Sequence, residues 1–335
     1  MTVPTRTLGP FAVSAIGLGC MNLNHCYPPF PDERAATRLL NHALDAGVTF
    51  LDTAALYGDN ENERLLGRAV MHRRGEFTLA SKCVLDCADG KRILDGRPER
   101  IRATCEAALT RLGTEVIDLY YLHRIDRNVP IEDSVGALAA LVAEGKIRTI
   151  GLSEMSAATI ERAHAVHPVT AVQSEYSLAV RNPEVAVLAT CRRLGIAFVP
   201  FSPVARGLLA GGIAGETYLP GDLRHSMPRF TGERLARNLD LVARFRALAE
   251  DADVTPAQLA LGWLLAQGDD LIPIPGTRSI AHLDENLAAA SIAFDPATIA
   301  AADALFPPNA LDGARYPAPA QAQIDTELLP DEQLA

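Results

Sequence analysis

The stretch RLGTEVIDLYYLH (111–123) contains the unit that decides the fold, namely the end of a helix, a glycine and a short apolar strand. The same unit occurs as DAGVTFLD (45–52), AEGKIRTIGLS (143–153) and RLGIAFVPFS (193–202). In each copy the glycine stands where a helix takes a left-handed C-terminal cap. These glycines are Gly47, Gly113, Gly145 and Gly195. The nearly continuous apolar strands that follow are typical of a parallel sheet with both faces buried.

Other short apolar segments extend the pattern to eight strands. They lie at Ala15–Leu18, Thr78–Lys82, Ala171–Gln173 and Leu271–Ile274. Helices are predicted between the strands, and Thr255 to Gln258 form a capping box that marks one helix start. Strands and helices that alternate over about 250 residues favour a (β/α)8 barrel, the TIM-barrel fold. An open doubly wound sheet is the alternative at this point.

Three segments lie outside the repeat. Residues 4–13 are predicted to form an N-terminal hairpin that closes the bottom of the barrel. Residues 203–232 form a long loop after strand seven, and the C-terminal tail from about residue 306 has no helical period. Such loops are usually functional lids or binding loops, or are disordered. No linker between two cores is visible, so residues 1–335 are expected to form a single barrel domain.

The composition favours a soluble enzyme and argues against several other classes. The formal net charge is -10, whereas nucleic-acid binders usually carry a basic excess, so no nucleic-acid partner is expected. No apolar run approaches the roughly 20 residues of a membrane helix, and no signal sequence is visible. The six dispersed cysteines form no CxxC pair, so we expect free thiols, a cytoplasmic location and no metal site. Composition does not determine the oligomeric state.

Polar residues end the predicted strands. In barrels of this kind the active site lies at the carboxyl ends of the strands. Polar groups at the ends of apolar strands cost free energy when they are buried, so their presence indicates a functional role. They predict a polar pocket at this end of the barrel. The residues at these ends are Asp52, Lys82, His123, Ser153, Glu154, Gln173, Phe201, Ser202, Gly276, Thr277 and Arg278.

Tyr57 lies five residues beyond Asp52, where it can fold back over the barrel mouth. A phenol with a pKa of about 10 is a poor proton donor near neutral pH. We expect the Lys82 ammonium to lower the pKa of Tyr57 and Asp52 to keep Lys82 charged. His123 can donate a hydrogen bond to a carbonyl oxygen. These groups suit the protonation of an oxygen as a carbonyl becomes an alcohol.

Segments in matching order give the chain a specific resemblance. It resembles the aldo-keto reductase family from its start to about residue 290, in the branch that carries GLSE. The matching segments are GVTFLDTAALYG (47–58), ASK (80–82), DLYYLH (118–123), GKIRTIGLSE (145–154), QSEYS (173–177), PFSPVARGLL (200–209) and IPGTR…LDENL (274–287).

The resemblance implies a (β/α)8 barrel that reversibly reduces an aldehyde or ketone with NADPH. It implies that Tyr57 is the catalytic acid, that Asp52 and Lys82 tune it, and that His123 orients the carbonyl. NADPH is bound without a Rossmann glycine loop in this family, and no GxGxxG follows a strand here. The physiological substrate is left open.

The resemblance also implies a cofactor site. Ser153 and Gln173 match residues that bind the nicotinamide carboxamide, and Phe201 matches the ring that stacks on nicotinamide. The segment with Ser202, Pro203, Arg206, Gly207 and Leu209 matches the loop at the pyrophosphate. Gly276, Thr277 and Arg278 match the 2′-phosphate pocket, with Glu285 and Asn286 near the adenine.

Two positions depart from the family pattern. Glu154 replaces the usual asparagine, and its carboxylate is expected to accept from the carboxamide while adding negative charge near the ring. His282 replaces an arginine that often contacts the 2′-phosphate, which leaves Arg278 as the main positive charge there. NADPH is therefore expected to be preferred over NADH, but less strongly than in the family as a whole. Mouth-loop residues that are candidates for contact with a small-molecule carbonyl substrate are His25, Tyr27, Phe30 and Arg124.

Two other functions are weighed against the reductase. A lysine at a strand end can form a Schiff base, so Lys82 is also compatible with an aldolase. Such a lysine should be neutral, whereas Asp52 would keep Lys82 charged. The second alternative is a regulatory subunit that binds nicotinamide cofactor with little turnover. The retention of all four catalytic residue types argues against it.

Overall fold

The computed structural model describes residues 3–88 and 91–335, which form a parallel barrel surrounded by helices. In chain order the strands are β1 (Thr5–Leu8), β2 (Phe11–Ser14), β3 (Leu18–Gly19), β4 (Phe50–Asp52), β5 (Thr78–Cys83), β6 (Leu85–Ala88), β7 (Lys91–Leu94), β8 (Ile117–Leu122), β9 (Ile147–Ser153), β10 (Val169–Glu175) and β11 (Ala197–Phe201). The main sheet has the order β11-β10-β9-β8-β5-β4-β3 and is parallel throughout. This order is that of a (β/α)8 barrel open at one seam.

The helices lie outside the sheet and between its strands. They are α1 (Glu33–Asp45), α2 (Glu61–Val70), α3 (Pro98–Leu112), α4 (Ile131–Ala143), α5 (Ala157–Val166), α6 (Val187–Leu194), α7 (Gly232–Asp251), α8 (Pro256–Ala266), α9 (Ile280–Ala288), α10 (Pro296–Leu305) and α11 (Ala318–Gln321). The predicted capping box at Thr255 and Gln258 begins α8, with both reciprocal hydrogen bonds present. The four glycines of the repeat all have positive φ, as a left-handed turn after a helix requires.

Residues 271–275 occupy the position of the eighth barrel strand, in the seam between β11 and β3. On one side they pair with β11. The amide of Ile272 donates to the carbonyl of Phe198 at 2.8 Å, and the amide of Ile274 donates to the carbonyl of Pro200 at 3.1 Å. Only one residue pair in this segment has the regular geometry of a bridge, because Pro200 has no amide hydrogen with which to return a bond. The predicted eighth strand is therefore present as a hydrogen-bonded but irregular segment.

The other side of the seam joins the same segment to β3. The carbonyls of Pro273 and Pro275 accept from the amides of Gly17 (2.9 Å) and Gly19 (3.3 Å). The two prolines cannot donate in return. Gly19 is required for this approach, since a Cβ there would lie 2.8 Å from the carbonyl oxygen of Ile274.

Among the described residues, two apolar cores stabilise the barrel. The larger core lies between the sheet and the surrounding helices. The smaller core fills the inside of the barrel and includes Leu8 and Val13 from the N-terminal hairpin, which pack with Phe50 and Tyr121. The hairpin therefore closes the bottom of the barrel, as the sequence predicted, and leaves the carboxyl ends of the strands as the accessible mouth.

Three details differ from the sequence prediction. Strand one is only Leu18–Gly19 rather than Ala15–Leu18, because the preceding residues turn out of the hairpin. The antiparallel hairpin β6–β7 after the third barrel strand was not predicted. The tail from about residue 306 contains the short helix α11 and buries Phe306, Arg315 and Ile324 against the rest of the chain.

In the described residues, no single helix combines the length and apolar character that would let it cross a membrane. One pair, 280–291 with 296–305, meets the test only when taken together, and it is bent by 118°.

Candidate active site

A cavity of about 770 Å³ opens at the carboxyl ends of the strands. The site residues named from the sequence converge on it from strand ends, from loops and from α9. Those that line it are Asp52, Tyr57, His123, Ser153, Gln173, Phe201, Ser202, Pro203, Arg206, Gly207, Gly276, Thr277, Arg278, His282, Glu285 and Asn286. Lys82 lies directly behind this lining and is fully buried.

A tight turn after β4 directs Tyr57 over the mouth. The amide of Tyr57 donates to the carbonyl of Ala54 at 3.1 Å, and the carbonyl of Tyr57 accepts from Asn62 at 3.2 Å. Gly58 follows with φ of +59°, and a Cβ at this position would lie 2.9 Å from Oδ1 of Asn24. Both facts favour glycine at this position, so the turn that presents Tyr57 is supported by its neighbour Gly58.

Asp52, Tyr57, Lys82 and His123 form a compact group, called here the Tyr57 cluster. Lys82 Nζ donates to Asp52 Oδ1, and also donates to the Tyr57 hydroxyl at 3.2 Å. A further bond to the carbonyl of Thr53 at 2.8 Å uses its third hydrogen. The buried ammonium thus has all three donors satisfied, which fixes its position behind the phenol.

The pKa values of this cluster correct one expectation from the sequence. Burial raises the pKa of Tyr57, and the nearby Lys82 charge, which acts to lower it, does not overcome that effect. For Lys82, burial alone would lower the pKa, but Asp52 and Tyr57 outweigh burial and the net pKa is raised. Tyr57 is therefore a protonated phenol beside a charged ammonium. The charge of Lys82 reduces the rise in the pKa of Tyr57 but does not reverse it.

His123 borders Tyr57 on the cavity side, with ring centroids 5.8 Å apart in an edge-on arrangement. Its pKa lies well below the ordinary range because of burial and the positive charges of Arg124, Lys82 and Arg92, so the ring is neutral. Its Nδ1 is buried and has no hydrogen-bond partner among the described residues. A proton on Nδ1 would be left without an acceptor, which favours the tautomer with the proton on Nε2.

One wall of the cavity fits the predicted nicotinamide site. Gln173 Nε2 donates to Asp52 Oδ2 at 2.8 Å, which orients the amide of Gln173 next to the Tyr57 cluster. Ser153 Oγ accepts from Arg124 at 3.2 Å, and the Arg124 guanidinium lies 5.9 Å from the centroid of the Phe201 ring. Amide, hydroxyl and aromatic ring thus line the same cavity, and Asp52 orients the amide.

The loop after β11 has an unusual backbone. Ser202, Ala205, Arg206 and Gly207 all have positive φ, between 49° and 93°. Such conformations cost energy outside glycine and concentrate at ligand sites, where the surrounding structure holds them. Leu209 was expected in this ligand loop but is fully buried in the apolar core and does not line the cavity.

Arg206 lines the cavity, but its charge is already paired. Its guanidinium donates to both carboxylate oxygens of Glu175, at 3.2 and 2.9 Å, and to the hydroxyl of Tyr316 at 2.9 Å. A fourth bond reaches the hydroxyl of Tyr27 at 3.3 Å. Arg206 therefore joins the predicted pyrophosphate loop to β10 and to the C-terminal tail, a role that the sequence did not predict.

Glu154 does not lie where the sequence analysis expected it. It is fully buried and absent from the cavity lining. Its carboxylate accepts from Arg315, from the Thr326 hydroxyl at 2.7 Å and from the amide of Glu175 at 2.8 Å. With these donors engaged, Glu154 anchors the tail instead of contacting a carboxamide.

Arg315 completes this second buried network. It donates to Glu154 and, at 3.0 Å, to Glu175. Glu154, Glu175, Arg206 and Arg315 are called here the tail cluster. Burial would raise the pKa of Glu175, but Arg206 and Arg315 outweigh burial and lower it to about 2.

The far end of the cavity carries a further cation at the start of α9. Arg278 Nη1 donates to the carbonyl of Tyr27 at 2.8 Å and to that of Pro29, and it has no carboxylate partner among the described residues. Ser279 caps α9 by accepting from the amide of His282 at 3.4 Å. An arginine next to a helix N-terminus is a favourable place for a phosphate.

The mouth-loop candidates divide into two groups. His25, Tyr27 and Arg124 line the cavity, and His25 stacks on Tyr57 with ring centroids 5.7 Å apart. Phe30 does not line it; this side chain is 45% exposed on the outer surface. A residue beside the mouth in sequence is thus turned away from it in space.

Sequence reasoning missed several residues of the cavity wall. They come from the β6–β7 hairpin, the 203–232 loop and the tail, where no period or motif marks them. They include Leu85, Arg92, Leu223, Arg224, Met227, Tyr316, Pro317, Ala320 and Ile324. Arg124 was named from the sequence as a mouth-loop candidate, whereas Arg92 lies on the unpredicted β6–β7 hairpin and only the folded chain brings it to the same cavity.

A parallel barrel with an aspartate, a tyrosine, a lysine and a histidine grouped at its mouth defines a class of barrel oxidoreductases. The family model for the aldo/keto reductase family matches residues 15–306. The chain therefore belongs to the aldo-keto reductase family and is an oxidoreductase acting on carbonyl groups.

Relatives with known sequences or structures agree with this assignment. The chain is 42% identical to "Aldo-keto reductase yakc [NADP(+)]" of Schizosaccharomyces pombe over 98% of this chain and 100% of the relative. It is also 42% identical to "Probable aldo-keto reductase 1" of Glycine max, over 91% and 89%. Among solved structures, the glycerol dehydrogenase AKR11B4 from Gluconobacter oxydans matches over 100% of both chains, with 26% identity and a TM-score of 0.82. The aldo-keto reductase AKR11C1 from Bacillus halodurans matches over 92% and 97%, with 28% identity and a TM-score of 0.75.

Proposed function

We propose that this protein reversibly reduces an aldehyde or ketone to an alcohol with NADPH, and that Tyr57 supplies the proton. The observation that carries the proposal is the Tyr57 hydroxyl, which lies on the cavity wall, 3.2 Å from the charged Lys82 ammonium. A protonated phenol beside a fixed positive charge can release its proton to an oxygen that is gaining negative charge.

The donor set of the cavity fits NADPH. The Phe201 ring and the polar groups of Ser153 and Gln173 suit a nicotinamide amide, and Arg278 next to the start of α9 suits a phosphate. The name of the S. pombe relative includes NADP(+), which supports the same cofactor. When bound, NADPH supplies a hydride to the carbonyl carbon and is oxidised to NADP+.

The side chains carry the rest of the reaction. Tyr57 transfers its proton to the carbonyl oxygen as the C=O double bond becomes a single bond, and it regains a proton from solvent. The positive charge of Lys82 stabilises the phenolate between these two steps, and Asp52 keeps Lys82 charged. His123, neutral and protonated on Nε2, donates to the carbonyl oxygen and sets its direction.

The aldolase alternative is disfavoured by the state of Lys82. A Schiff-base lysine must be neutral to attack a carbonyl, whereas the pKa of Lys82 is raised and its three hydrogens are all donated. A regulatory subunit would bind the cofactor with little turnover, so the turnover assay below separates it from a reductase.

Two measurements test the proposal. The first is NADPH oxidation across a panel of aldehydes and ketones, with the reverse reaction measured on the alcohols; no turnover with any class would contradict catalysis.

The second is Arg278→Ala, which should weaken NADPH binding roughly 10- to 100-fold, as expected for a charge-assisted contact, and NADH binding much less. Equal losses for the two cofactors would mean that the 2′-phosphate is bound elsewhere. The cytoplasmic location expected from the sequence stays a prediction.

A further inference from the structure

Two arginines on the cavity wall near the Tyr57 cluster have no carboxylate partner among residues 3–88 and 91–335. Arg124 directly follows His123, and its Nη1 donates to the carbonyl of His123 at 2.6 Å and to Ser153 at 3.2 Å. Arg92 lies on β7, lines the same cavity, and its side chain makes no hydrogen bond or ion pair with any described residue. Arg92 and Arg124 are called here the arginine pair.

The charges of Arg92 and Arg124 act on each other and on the same part of the cavity, next to His123. Burial and then the charge of Arg124 lower the pKa of Arg92, so the two charges are close enough to repel each other. Both also contribute to the low pKa of His123. A positive field therefore surrounds the position where a carbonyl would contact His123.

No acid in the described part of the cavity lining neutralises this field. The carboxylates that line the cavity are Asp52 and Glu285. Asp52 is bound to Lys82 and to Gln173, and Glu285 lies on α9 in the part of the cavity assigned above to the cofactor. The charge of the arginine pair is thus unmatched within the described protein.

Arg278, assigned above to the cofactor phosphate, also lines the cavity, whereas two further arginines of the lining have structural roles. Arg206 is bound to Glu175, and Arg224 is bound to Asp222 at 2.7 Å. Each of these has an acid partner supplied by the fold. Arg124 is half-buried and Arg92 is exposed, and neither has such a partner among the described residues. Convergent guanidiniums are the groups that bind carboxylates and phosphates.

We propose that the substrate of this enzyme is an aldehyde or ketone that also bears an anionic group, with a carboxylate as the main case. The anionic group contacts Arg92 and Arg124 while the carbonyl meets Tyr57 and His123. This inference rests on the carbonyl reductase function proposed above and adds the substrate class.

The test compares aldehydes of equal length that differ in charge. A four-carbon aldehyde ending in a carboxylate, its methyl ester and butanal are assayed with NADPH, together with an aldehyde that carries a phosphate ester. The wild-type kcat/KM should be about 10- to 100-fold higher for the carboxylate than for its ester, as expected for charge-assisted contacts. A preference for the phosphate over the carboxylate would overturn the carboxylate assignment.

Substitutions locate the effect. Arg92→Gln and Arg124→Gln should each lower the ratio of kcat/KM for acid over ester by about tenfold or more. Arg244→Gln removes the same charge from an exposed position on α7 and should leave the ratio unchanged. Equal losses for acid and ester in the Arg92→Gln and Arg124→Gln proteins would overturn the proposal.

Cofactor binding separates the remaining explanations. If Arg92→Gln weakens NADPH binding in a fluorescence titration as much as it lowers turnover of the acid, the arginine serves the cofactor and the proposal fails. If neutral aldehydes are reduced but the acid shows no advantage, the substrate class is wrong while the carbonyl reductase function stands. If no aldehyde oxidises NADPH, the function proposed above fails instead.

Discussion

The Tyr57 cluster and the tail cluster are both buried charge networks at the carboxyl end of the barrel, but they differ in what they leave unpaired. In the Tyr57 cluster, a phenol proton and a neutral imidazole border the cavity. In the tail cluster, Glu154 and Glu175 each accept at least three hydrogen bonds, largely from Arg206 and Arg315. A saturated network fixes structure, whereas a network with an available proton and donor can perform chemistry.

The largest expected effect separates the two clusters by turnover. Tyr57→Phe removes only the hydroxyl, and kcat for carbonyl reduction should fall by about 10²- to 10⁴-fold because the general acid is lost. NADPH affinity, measured by fluorescence titration, should change little. Tyr218→Phe removes a hydroxyl bonded to the carbonyl of Phe230 outside the cavity and serves as the matched control. Loss of NADPH binding in the Tyr57 variant would count against its assigned role.

The next effect concerns stability rather than chemistry. Arg315→Met leaves the carboxylates of Glu154 and Glu175 buried with too little positive charge, and the free energy of unfolding should fall by roughly 3–5 kcal/mol. Denaturant unfolding at neutral pH measures it. Arg237→Met breaks exposed ion pairs with Asp312 and Glu233 and should cost no more than about 1 kcal/mol. Similar losses of unfolding free energy in the two variants would show that the buried ion pairs of the tail cluster stabilise the fold no more than exposed ones do.

A smaller effect is expected at the edge of the tail cluster. Thr326→Val keeps the shape of the side chain but removes its 2.7 Å hydrogen bond to Glu154. Since Arg315 and the amide of Glu175 still bind this carboxylate, the free energy of unfolding should fall by only about 1.5–3 kcal/mol. A loss as large as that of Arg315→Met would mean that the hydroxyl, and not the guanidinium, holds the tail.

The smallest effect is a difference in acid sensitivity. The pKa of Glu175 is lowered from 4.5 to about 2 in the folded protein, so its contribution to stability is present above pH 4.5 and is lost as the pH falls toward 2. Arg315→Met removes part of the cause of that lower pKa, so its free energy of unfolding should fall less steeply over this range. The expected difference is about 1.4 kcal/mol for each pKa unit restored. Parallel pH profiles for wild type and variant would exclude Glu175 as the titrating group.

The two clusters also differ in how far the sequence predicted them. Asp52, Lys82 and His123 end strands of a repeating unit, so the topology alone brings them to one end of the barrel. The barrel, the bottom hairpin and the glycine turns were predicted for the same reason, since each has a local period or a required residue. The direction of the pKa shift of Tyr57 was predicted wrongly because burial, which outweighs Lys82, is a property of the folded chain.

The tail cluster left no comparable signal. Arg315 and Glu154 are 161 positions apart, and the tail has neither a period nor a capping motif to place it. Glu154 was instead given a role by its position in the GLSE motif, although its positive φ of 55° and its bond to Arg315 direct it away from the cavity. Ion pairs between distant segments depend on the whole fold, so the residues alone do not reveal them.

The prolines of the seam have a consequence for the way in which the chain reaches its native state. Until residues 271–275 pair with both neighbours, the growing sheet exposes an open edge, and such edges promote association with strands of other molecules. Pro273 and Pro275 have no amide hydrogens to offer on the side that later meets Gly17 and Gly19. Pro273 and Pro275 therefore reduce the number of hydrogen bonds in the folded barrel. During folding, they also leave the open edge of the sheet with fewer donors that a strand of another molecule could pair with.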